Sequence, residues 1–490
     1  MLVQFKMNCL RKHLLKSKTY YLEVLQDQMI LSEHKTMQNP KYVVLFNFES
    51  RVMWKKSEHE QLCSFGILYQ KRIKWFWGDH KELNLLKMYL SNRVFFGNIS
   101  IFYESSQIIG SGASSKVCLV KRNTDVLYYA AKCISKKYLT GKKSTDRIAR
   151  LQSEIEILQK IDNPIFVKLL EIYEGDNSYY LITDYYEGDT LYNFIRNTQS
   201  DSLPSYIVRD GIKTLLLGLQ YLEHMGLIHR DIKLENILLA KQNEIKSLKI
   251  IDFGLAIYEN TWTKLSICGT PGYIAPEILR AEIKQNDYFT TKCDVFSAGV
   301  IFYKLLTKRT LFRADNTADI MKANTQCDIR LDELEQNVQK EALNLLKLML
   351  EPNPNIRPTA SQCLEHPYFY CQLEDIRILQ EILDKVTGSS EFTKEHQDTH
   401  SVPNESQAAQ IKKCPPTQYR VRVEQRKRTR SPRKYADFHF YLPSFCQMNS
   451  FESEGNSSNS SRSSKIENII INEKESEKDS VIEENNKFQQ

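Results

Sequence analysis

The sequence lacks any apolar run of about eighteen residues, the length that a helix needs to cross a bilayer. Its first residues, MLVQFKMNCLRKHLLK, lack the continuous apolar core and the small-residue cleavage site of a secretory signal. The eleven cysteines form no C-x-x-C pair and show no metal-ligand spacing. These absences argue against a transmembrane segment, a signal peptide and a disulfide framework, and we expect a soluble intracellular protein with free thiols. The expected location is the cytoplasm, with the nucleus as an alternative.

A strong charge of one sign is also missing. The net charge is +7 over 490 residues, so we expect no specific nucleic-acid partner. The excess is uneven, since residues 1–100 hold sixteen Lys and Arg against eight Asp and Glu. No D-x-[DN]-x-[DN]-G loop occurs, which argues against built-in calcium sensing. The length predicts about two to four domains, and 41% hydrophobic residues suffice for ordinary cores.

Residues 1–98 are predicted to form a β-rich domain. Stretches rich in β-forming residues are separated by short polar segments, at 19–31, 42–48, 51–54, 64–69 and 72–77. Residues 81–90 (KELNLLKMYL) then predict an amphipathic helix. Several strands followed by one helix resemble a pleckstrin-homology-like (PH-like) domain. The tryptophan of that family's closing helix is absent, and Trp75 and Trp77 lie in the preceding strand instead.

The PH-like resemblance implies a contact with anionic lipid headgroups through residues 1–98. In that family, basic residues of the first strand–strand loop bind phosphoinositides, and the suitable residues here are Arg11, Lys12, Lys16 and Lys18. Each cation near an anionic leaflet contributes on the order of 1 kcal/mol. The alternative is a solvated basic face on a protein-contact or autoinhibitory module.

The stretch HRDIKLEN at 229–236 resembles the catalytic loop of eukaryotic protein kinases. The resemblance implies that Asp231 accepts the proton of the substrate hydroxyl and that Asn236 ligates a magnesium ion. Lys233 would contact the transferring phosphate. Phosphoryl transfer depends on a hydroxyl that is aligned with the γ-phosphate and on cations that neutralise the phosphate oxygens. The protein itself forms few or no covalent bonds in the reaction. For this stretch alone, a chance match on a charged surface loop is the alternative.

Further motifs of the same family flank this loop. QIIGSGASSKVCLV at 107–120 fits the glycine-rich loop that covers the phosphates, with Ser115 at the third glycine position. The apolar strand LYYAAKCI carries one inward lysine, which is costly to bury without a partner. Lys132 is therefore expected to pair with a helical carboxylate, which is Glu154 or, alternatively, Glu156.

The resemblance also implies the rest of the nucleotide site. The gatekeeper position falls on Thr183, and backbone groups from 184 to 186 would bond the adenine edge. Val117, Ala130 and Leu238 would enclose the ring, although each also suits an ordinary core. The complete set of nucleotide-binding residues implied in this way is Ile109, Gly110, Gly112, Ser115, Val117, Ala130, Lys132, Glu154, Thr183, Asp184, Tyr186, Leu238 and Asp252.

The segment after the catalytic loop carries the D-F-G motif, whose Asp252 would bind the magnesium ion that bridges the phosphates. GTPGYIAPE at 269–277 ends the activation segment. The hydroxyl of Thr270 is expected to contact Asp231 and Lys233, which favours serine or threonine over tyrosine substrates. Ser266 fits an activating phosphosite, with Thr261 and Thr263 as competitors, because a phosphate there could bond a cation such as Arg230.

Four expected structural contacts complete the pattern. Glu277 would pair with Arg357, Asp294 would anchor the catalytic loop, and His366-Pro367 would close the domain. A stacked hydrophobic spine is expected from Leu158, Leu169, His229 and Phe253.

Residues 103–370 are identified as a member of the protein kinase family, most like the calcium/calmodulin-dependent group of Ser/Thr kinases. The resemblance implies an α+β, bilobal fold that uses ATP and Mg²⁺ and acts on protein substrates. Glu235 would favour a basic residue before the phosphoacceptor. A pseudokinase scaffold is the rival interpretation, but it predicts loss of a charged catalytic residue and none is lost. A lipid-binding adaptor leaves this region unexplained.

The C-terminal part is predicted to be less structured. Residues 371–387 include an amphipathic helical pattern with too few cations for a calmodulin target. Residues 388–490 are polar and are expected to be disordered. The basic run at 420–434 predicts a nuclear-import signal or an anionic-surface contact, with a solvated tail as the alternative, and Ser431 before a proline is a candidate phosphosite.

Overall fold

The computed structural model describes residues 2–112, 115–141, 144–259, 268–280 and 289–370. The expected helix at 371–387, the tail at 388–490 and Ser431 lie outside these residues. Within them, the N-terminal strands are β1 Phe5–Lys12, β2 Ser17–Val24, β3 Gln28–Ser32, β4 Tyr42–Leu45, β5 Arg51–Lys56, β6 Leu62–Tyr69 and β7 Arg72–Trp77. The prediction of a β-rich N-terminal region is confirmed.

Strand β1 is the N-terminal strand that the sequence patterns did not predict. It buries only Met7 and Cys9, between polar and partly exposed neighbours. Its pairing with β2 over eight registered positions determines its conformation. Because this pairing orders the strand, the local β propensity of residues 5–12 carries little of the signal.

The predicted helix is α1, His80–Leu90. Asp79 caps its N-terminus, where its side chain accepts hydrogen bonds from the amides of Lys81 and Glu82. Such a cap satisfies amides that have no partner within the helix. Leu83, Leu86 and Leu90 share one buried face, which packs towards strand β6.

The next strands belong to a second part of the fold, here called the small lobe. They are β8 Phe95–Gly97, β9 Tyr103–Ser111, β10 Ser115–Arg122, β11 Tyr128–Ser135, β12 Leu169–Glu174 and β13 Ser178–Asp184. Helix α2, Ser144–Lys160, precedes β12. Among the described residues, these strands and β1–β7 form one sheet, in the order β4-β3-β2-β1-β7-β6-β5-β8-β12-β13-β11-β10-β9.

Strand β8 joins the two parts of this sheet. It pairs in parallel with β5 on one side and with β12 on the other. On one face of the small-lobe sheet, Tyr173 and Ile182 are fully buried in the same hydrophobic cluster as the N-terminal core. The opposite face contributes Ile134 and Ile172 to the cluster that contains helix α2. The small-lobe sheet is therefore covered on both faces.

The large lobe is mostly helical. Its helices are α3 Leu191–Asn197, α4 Ser205–His224, α5 Pro276–Arg280, α6 Lys292–Thr307, α7 Thr317–Gln326, α8 Lys340–Met349 and α9 Ala360–Leu364. Its short strands are β14 Leu227–Ile228, β15 Ile237–Leu239, β16 Leu248–Ile250 and β17 Ile257–Tyr258. None of the helices in the described residues is long and apolar enough to cross a membrane. A sheet-based small lobe and a helical large lobe confirm the predicted α+β, bilobal class.

Candidate functional site

Asp294 of helix α6 anchors the loop between β14 and β15. Its two carboxylate oxygens accept hydrogen bonds from the amides of His229, at 2.6 Å, and Arg230, at 2.9 Å. Burial raises the pKa of Asp294, while His229 and these amides oppose that shift. Arg230 has φ of 65°, a conformation that non-glycine residues rarely adopt. The predicted anchor is in contact with the loop.

Four polar side chains of this site form one hydrogen-bonded group. Thr270 Oγ1 donates to Asp231 Oδ1 at 2.7 Å and accepts from Lys233 Nζ at 2.8 Å. Lys233 Nζ also lies 2.9 Å from Asp231 Oδ2. Asn236 Nδ2 donates to the same oxygen at 2.8 Å. The structure thus brings together Asp231, Lys233, Asn236 and Thr270, which are expected from their motifs.

A second charged group connects the two lobes. Lys132 Nζ lies 2.6 Å from Glu154 Oε1 on helix α2 and 2.8 Å from Asp252 Oδ1 of the large lobe. The alternative partner, Glu156, is exposed on the other side of the helix. A Cβ placed at Gly254 would lie 3.2 Å from Asp252 Oδ1, so a larger residue there would crowd this group.

In the second group, the mutual attraction of Lys132 and Asp252 favours the charged form of both side chains. Burial disfavours the ammonium of Lys132, but Asp252 and Glu154 outweigh it and raise the pKa of Lys132. Lys132 in turn lowers the pKa of Asp252 to about 2, against the effect of burial. For Glu154, burial dominates and raises the pKa, although Lys132 opposes it.

The glycine-rich hairpin is formed by β9 and β10, and its Val117 is opposite Lys132 in the β10–β11 pair. A Cβ at Gly110 would be 3.5 Å from Val117 Cβ, and one at Gly112 would be 3.7 Å from the Ser115 carbonyl. Both are ordinary van der Waals distances, so packing within the protein does not require glycine at either position. Ile109, on the same hairpin, is 40% exposed.

The expected adenine-binding residues lie around the junction of the lobes. Three of the apolar ones are only half-buried: Val117, Ala130 and Leu238. Thr183 Oγ1 donates to the carbonyl of Ala130 at 3.5 Å, and Ala130 is opposite Thr183 in the β11–β13 pair. The Tyr186 hydroxyl donates to Asp184 Oδ2 at 3.5 Å, and burial raises the pKa of Tyr186 to about 12.

The expected spine residues Leu158, Leu169, His229 and Phe253 are all buried. The rings of His229 and Phe253 are 4.9 Å apart. Phe166, which the motifs did not indicate, packs its ring 5.7 Å from that of Phe253. Its position within the connection between α2 and β12 carries no motif of its own, so only the fold reveals this contact.

Arg357 makes the predicted pair with Glu277. Its two terminal nitrogens donate to the two Glu277 oxygens at 2.7 and 2.8 Å, and Arg357 is fully buried. Such two-point pairs combine strength with defined geometry. The contact ties the end of the activation segment, at the start of helix α5, to the connection between α8 and α9. His366 caps the final turn at Pro367–Phe369.

Asn324 is a supporting residue that the sequence reasoning missed. It is fully buried on helix α7, where its side chain accepts from the amide of Gly272 at 3.1 Å and donates to the Ile274 carbonyl at 2.8 Å. It therefore fixes the backbone of the GTPGYIAPE loop at Gly272 and Ile274. An asparagine in a helix that reads TADIMKANTQ gives no signal until the loop is seen beside it.

The expected phosphosite Ser266 and its competitors Thr261 and Thr263 lie outside the described residues. Arg230, the cation expected to meet a phosphate there, donates from Nε to the Leu255 carbonyl at 2.6 Å.

The two groups together define a class of protein. A lysine paired with a helical glutamate, an aspartate facing it from the other lobe, and a separate aspartate bonded to lysine, asparagine and threonine are the parts of a nucleotide-dependent phosphotransferase with the protein kinase architecture.

Comparison with known proteins leads to the family itself. A family model described as "Protein kinase domain" matches residues 103–369. This match covers more than half of the chain, so the chain belongs to the protein kinase family. The expected kinase fold and family are confirmed.

Named relatives support the same conclusion. The chain is 32% identical over 281 residues to "Probable serine/threonine-protein kinase 2" of Plasmodium falciparum (isolate K1 / Thailand), covering 57% of the chain and 52% of that protein. It is 33% identical to "Serine/threonine-protein kinase cds1" of Schizosaccharomyces pombe, covering 55% and 58%. It is 32% identical to "Calcium/calmodulin-dependent protein kinase type 1" of Caenorhabditis briggsae, covering 54% and 72%. The chain thus spans about half the length of the first two relatives.

Proposed function

We propose that this chain is a protein serine/threonine kinase that transfers the γ-phosphate of ATP to hydroxyl groups of protein substrates. The observation that carries the proposal is the direct contact of Lys132 with Asp252 at 2.8 Å, across 120 residues of sequence. An ammonium from one lobe and a carboxylate from the other meet in one cleft. Nucleotide phosphates require such a cation, and the metal ion that accompanies them requires such a carboxylate.

The residues present fit ATP and Mg²⁺. Glycines at 110 and 112 leave room for phosphate where the fold itself does not need glycine. Lys132 would hold the α- and β-phosphates, and the half-buried Val117, Ala130 and Leu238 would cover the adenine. Asp252 and Asn236 offer oxygen ligands, which magnesium prefers. When bound, the ion neutralises charge on the phosphate oxygens.

The chain's own residues would then prepare the acceptor. Asp231 is positioned by Asn236 and Thr270 on its two oxygens, so one carboxylate orientation is favoured. We infer that it receives the proton of the substrate hydroxyl. Lys233, within reach of Asp231 and Thr270, would place positive charge next to the transferring group. The Thr270 contact supports Ser/Thr substrates.

An activity assay with a matched control tests this function. The purified chain is incubated with Mg-ATP and a Ser/Thr peptide library beside Asp231→Asn and Asp328→Asn, a surface aspartate of the large lobe that is 78% exposed. We expect incorporation by the wild type and Asp328→Asn, and a loss of about 10²-fold or more in Asp231→Asn, the usual scale for proton-transfer residues. Equal background incorporation by all three proteins would remove the proposal.

A basic residue before the phosphoacceptor is the proposed substrate preference. Burial raises the pKa of Glu235, and its Oε2 atom is buried without a hydrogen-bond partner among the described residues. A cationic substrate side chain would supply that partner. Peptides with Arg at each position before the acceptor test this, because Glu235→Gln should lose the preference while retaining activity on neutral peptides. A preference that is the same in both proteins contradicts it.

Phosphorylation of Ser266 is proposed to regulate the kinase. The support is its distance from Gly269 in the sequence, together with the cation of Arg230, which precedes Asp231 in the catalytic loop. After phosphatase treatment and reactivation, the wild type should regain activity and Ser266→Ala should not. Equal recovery of both proteins argues against this site.

Contact with anionic membranes is proposed as a second function, for the β1–β2 hairpin. Leu14 and Leu15 at its tip have exposed fractions of 104% and 96%, and the turn is closed by the His13 amide on the Lys16 carbonyl at 2.9 Å. Two exposed leucines between cations suit a bilayer with anionic headgroups. Phosphatidylserine vesicles should retain the wild type and Leu85→Ser, a control on the exposed face of α1, but not the double variant Leu14→Ser, Leu15→Ser. Equal retention of all three is the contrary result.

A further inference from the structure

Two cysteines lie side by side on neighbouring strands of the small lobe. In the β10–β11 pair Cys118 is opposite Ala131, so Cys133 occupies the diagonal position two residues further along. The two Sγ atoms are 3.8 Å apart. Since side chains alternate along a strand, both thiols are on the sheet face away from Val117 and Lys132.

The pair places a buried thiol of lowered pKa beside a partly exposed thiol. Cys118 is only 6% exposed, whereas Cys133 is half-buried and lies at the rim of the same cluster. The Cys133 thiol donates a hydrogen bond to Cys118, which lowers the pKa of Cys118 against the effect of burial, and Lys116 contributes in the same direction. The same contact, together with burial, raises the pKa of Cys133. A thiolate beside a protonated thiol is the arrangement of an oxidation-sensitive pair.

We propose that Cys118 and Cys133 form a reversible disulfide when the chain meets a hydroperoxide, and that this bond weakens nucleotide binding at the cleft. The second part rests on the proposed kinase function, while the disulfide itself does not.

The chemistry takes two steps. The Cys118 thiolate attacks one peroxide oxygen, the O–O bond breaks, and the leaving oxygen takes a proton from water, which leaves a sulfenic acid on Cys118. The sulfur of Cys133 then attacks Cys118 Sγ, the S–O bond breaks, and the oxygen leaves as water with the proton of Cys133. With hydrogen peroxide, two thiols and one peroxide give one disulfide and two waters. The two sulfurs lose two electrons and the peroxide gains them.

The geometry links this bond to the nucleotide site. Diagonal residues on paired strands are usually about 7–8 Å apart at Cα, whereas disulfides usually join Cα atoms about 4.4–6.8 Å apart. Closing the bond must therefore shift β10 relative to β11. Val117 is directly opposite Lys132 on the other face of these strands. Their relative position changes with the strands, and with it the fit to adenine and phosphate.

The test uses the full reduced chain, treated with hydrogen peroxide and digested without reductant. Mass spectrometry should find the peptides of Cys118 and Cys133 joined, and dithiothreitol should separate them. In parallel, calorimetry measures binding of a non-hydrolysable ATP analogue with Mg²⁺. We expect the affinity to fall about fivefold or more, the lower end of usual coupling between two sites, and to recover after reduction.

Two variants and a control complete the design. Cys133→Ser should bind the analogue as the wild type does but should neither cross-link nor respond to peroxide. Cys118→Ala should behave in the same way. Cys63→Ser, a half-buried cysteine of the N-terminal region, should retain both responses. Absence of the joined peptides, a joined pair with unchanged affinity, or a peroxide response that persists in Cys133→Ser each overturns the proposal. Cross-linking by a chain without phosphotransfer activity would instead reject only the kinase function.

Discussion

Individual side-chain contacts determine the orientation of the Asp231 carboxylate. Asn236, Lys233 and Thr270 approach its two oxygens within 2.7–2.9 Å. Charge-assisted hydrogen bonds of this kind are among the strongest in proteins. They orient the carboxylate before any substrate arrives, which reduces the reorganisation that the reaction requires.

Asp252 provides a residue-scale prediction on pH. Lys132 lowers its pKa from an ordinary 3.8 to about 2, so ionised Asp252 stabilises the fold above about pH 4 and this contribution is lost as the pH falls towards 2. Asp252→Asn should therefore unfold with a weaker dependence on pH between 4 and 2. Asparagine suits the φ of 67° at this position, so the backbone should be retained.

Acid unfolding followed by circular dichroism measures this difference. Asp328→Asn, on the surface, serves as the control and should follow the wild-type curve. Parallel curves for Asp252→Asn and the wild type would show that the Lys132 contact does not perturb Asp252 in solution.

At the scale of elements, helix α1 is fastened to the small-lobe sheet by a buried ion pair. Lys87 of α1 contacts Glu171 of β12, and their side chains are 12% and 9% exposed. Glu171 also accepts hydrogen bonds from Tyr103 at 3.1 Å and Tyr173 at 2.6 Å. All these partners lie on the face of the sheet that carries the N-terminal core, so the helix and the sheet act as one packing unit.

Lys87→Ala should destabilise the fold, because it leaves the Glu171 carboxylate buried without its cation. Removing one partner of a buried ion pair usually costs about 3–5 kcal/mol, and the two tyrosine hydroxyls that remain should reduce this to about 2–4 kcal/mol. Urea unfolding measures the change. Lys81→Ala on the exposed part of the same helix should remain within about 0.5 kcal/mol of the wild type. Similar values for the two variants would mean that Lys87 adds nothing to the packing of α1.

At the scale of the whole molecule, the sheet and one hydrophobic cluster continue from the N-terminal region into the kinase region. Strand β8 pairs with both parts, and Tyr173 and Ile182 share a cluster with Tyr20 and Phe65. The expected division near residues 98–103 stays a prediction, as do the boundaries of the tail. Deleting the N-terminal part would expose one face of the small-lobe sheet to water.

Residues 103–370 alone should therefore be less stable than residues 1–370. Val120, Tyr173 and Ile182 are fully buried, and each such side chain contributes about 1.5–3 kcal/mol. Exposing them removes an amount comparable with the whole stability of a typical domain, about 5–15 kcal/mol. We expect aggregation, or a thermal midpoint lower by about 10 °C or more. Equal thermal midpoints and a monomeric 103–370 fragment would contradict a structural role of the N-terminal region.

The charged residues of the site could be predicted from sequence because their spacing within short motifs is a direct consequence of the chemistry. HRDIKLEN, D-F-G and GTPGYIAPE each place their polar groups within one loop, where local geometry suffices. That Lys132 needs a carboxylate follows from the cost of burying a lysine, whereas the preference for Glu154 over Glu156 came from the spacing of the family's motif. Long, apolar or capped elements such as α1 were also predictable from periodicity.

Only the tertiary structure decided the rest. Phe166 and Asn324 carry no local signal, since their partners are distant in sequence. Strand β1 buries only two residues, so its own pattern is weak until its pairing with β2 is seen. The sequence alone determined which chemical groups the protein carries and how motifs order them along the chain. The fold decided which of those groups meet, which sheet face the N-terminal region covers, and that two cysteines fifteen residues apart lie in contact. Burial and strand pairing are properties of the whole chain, and no short stretch contains them.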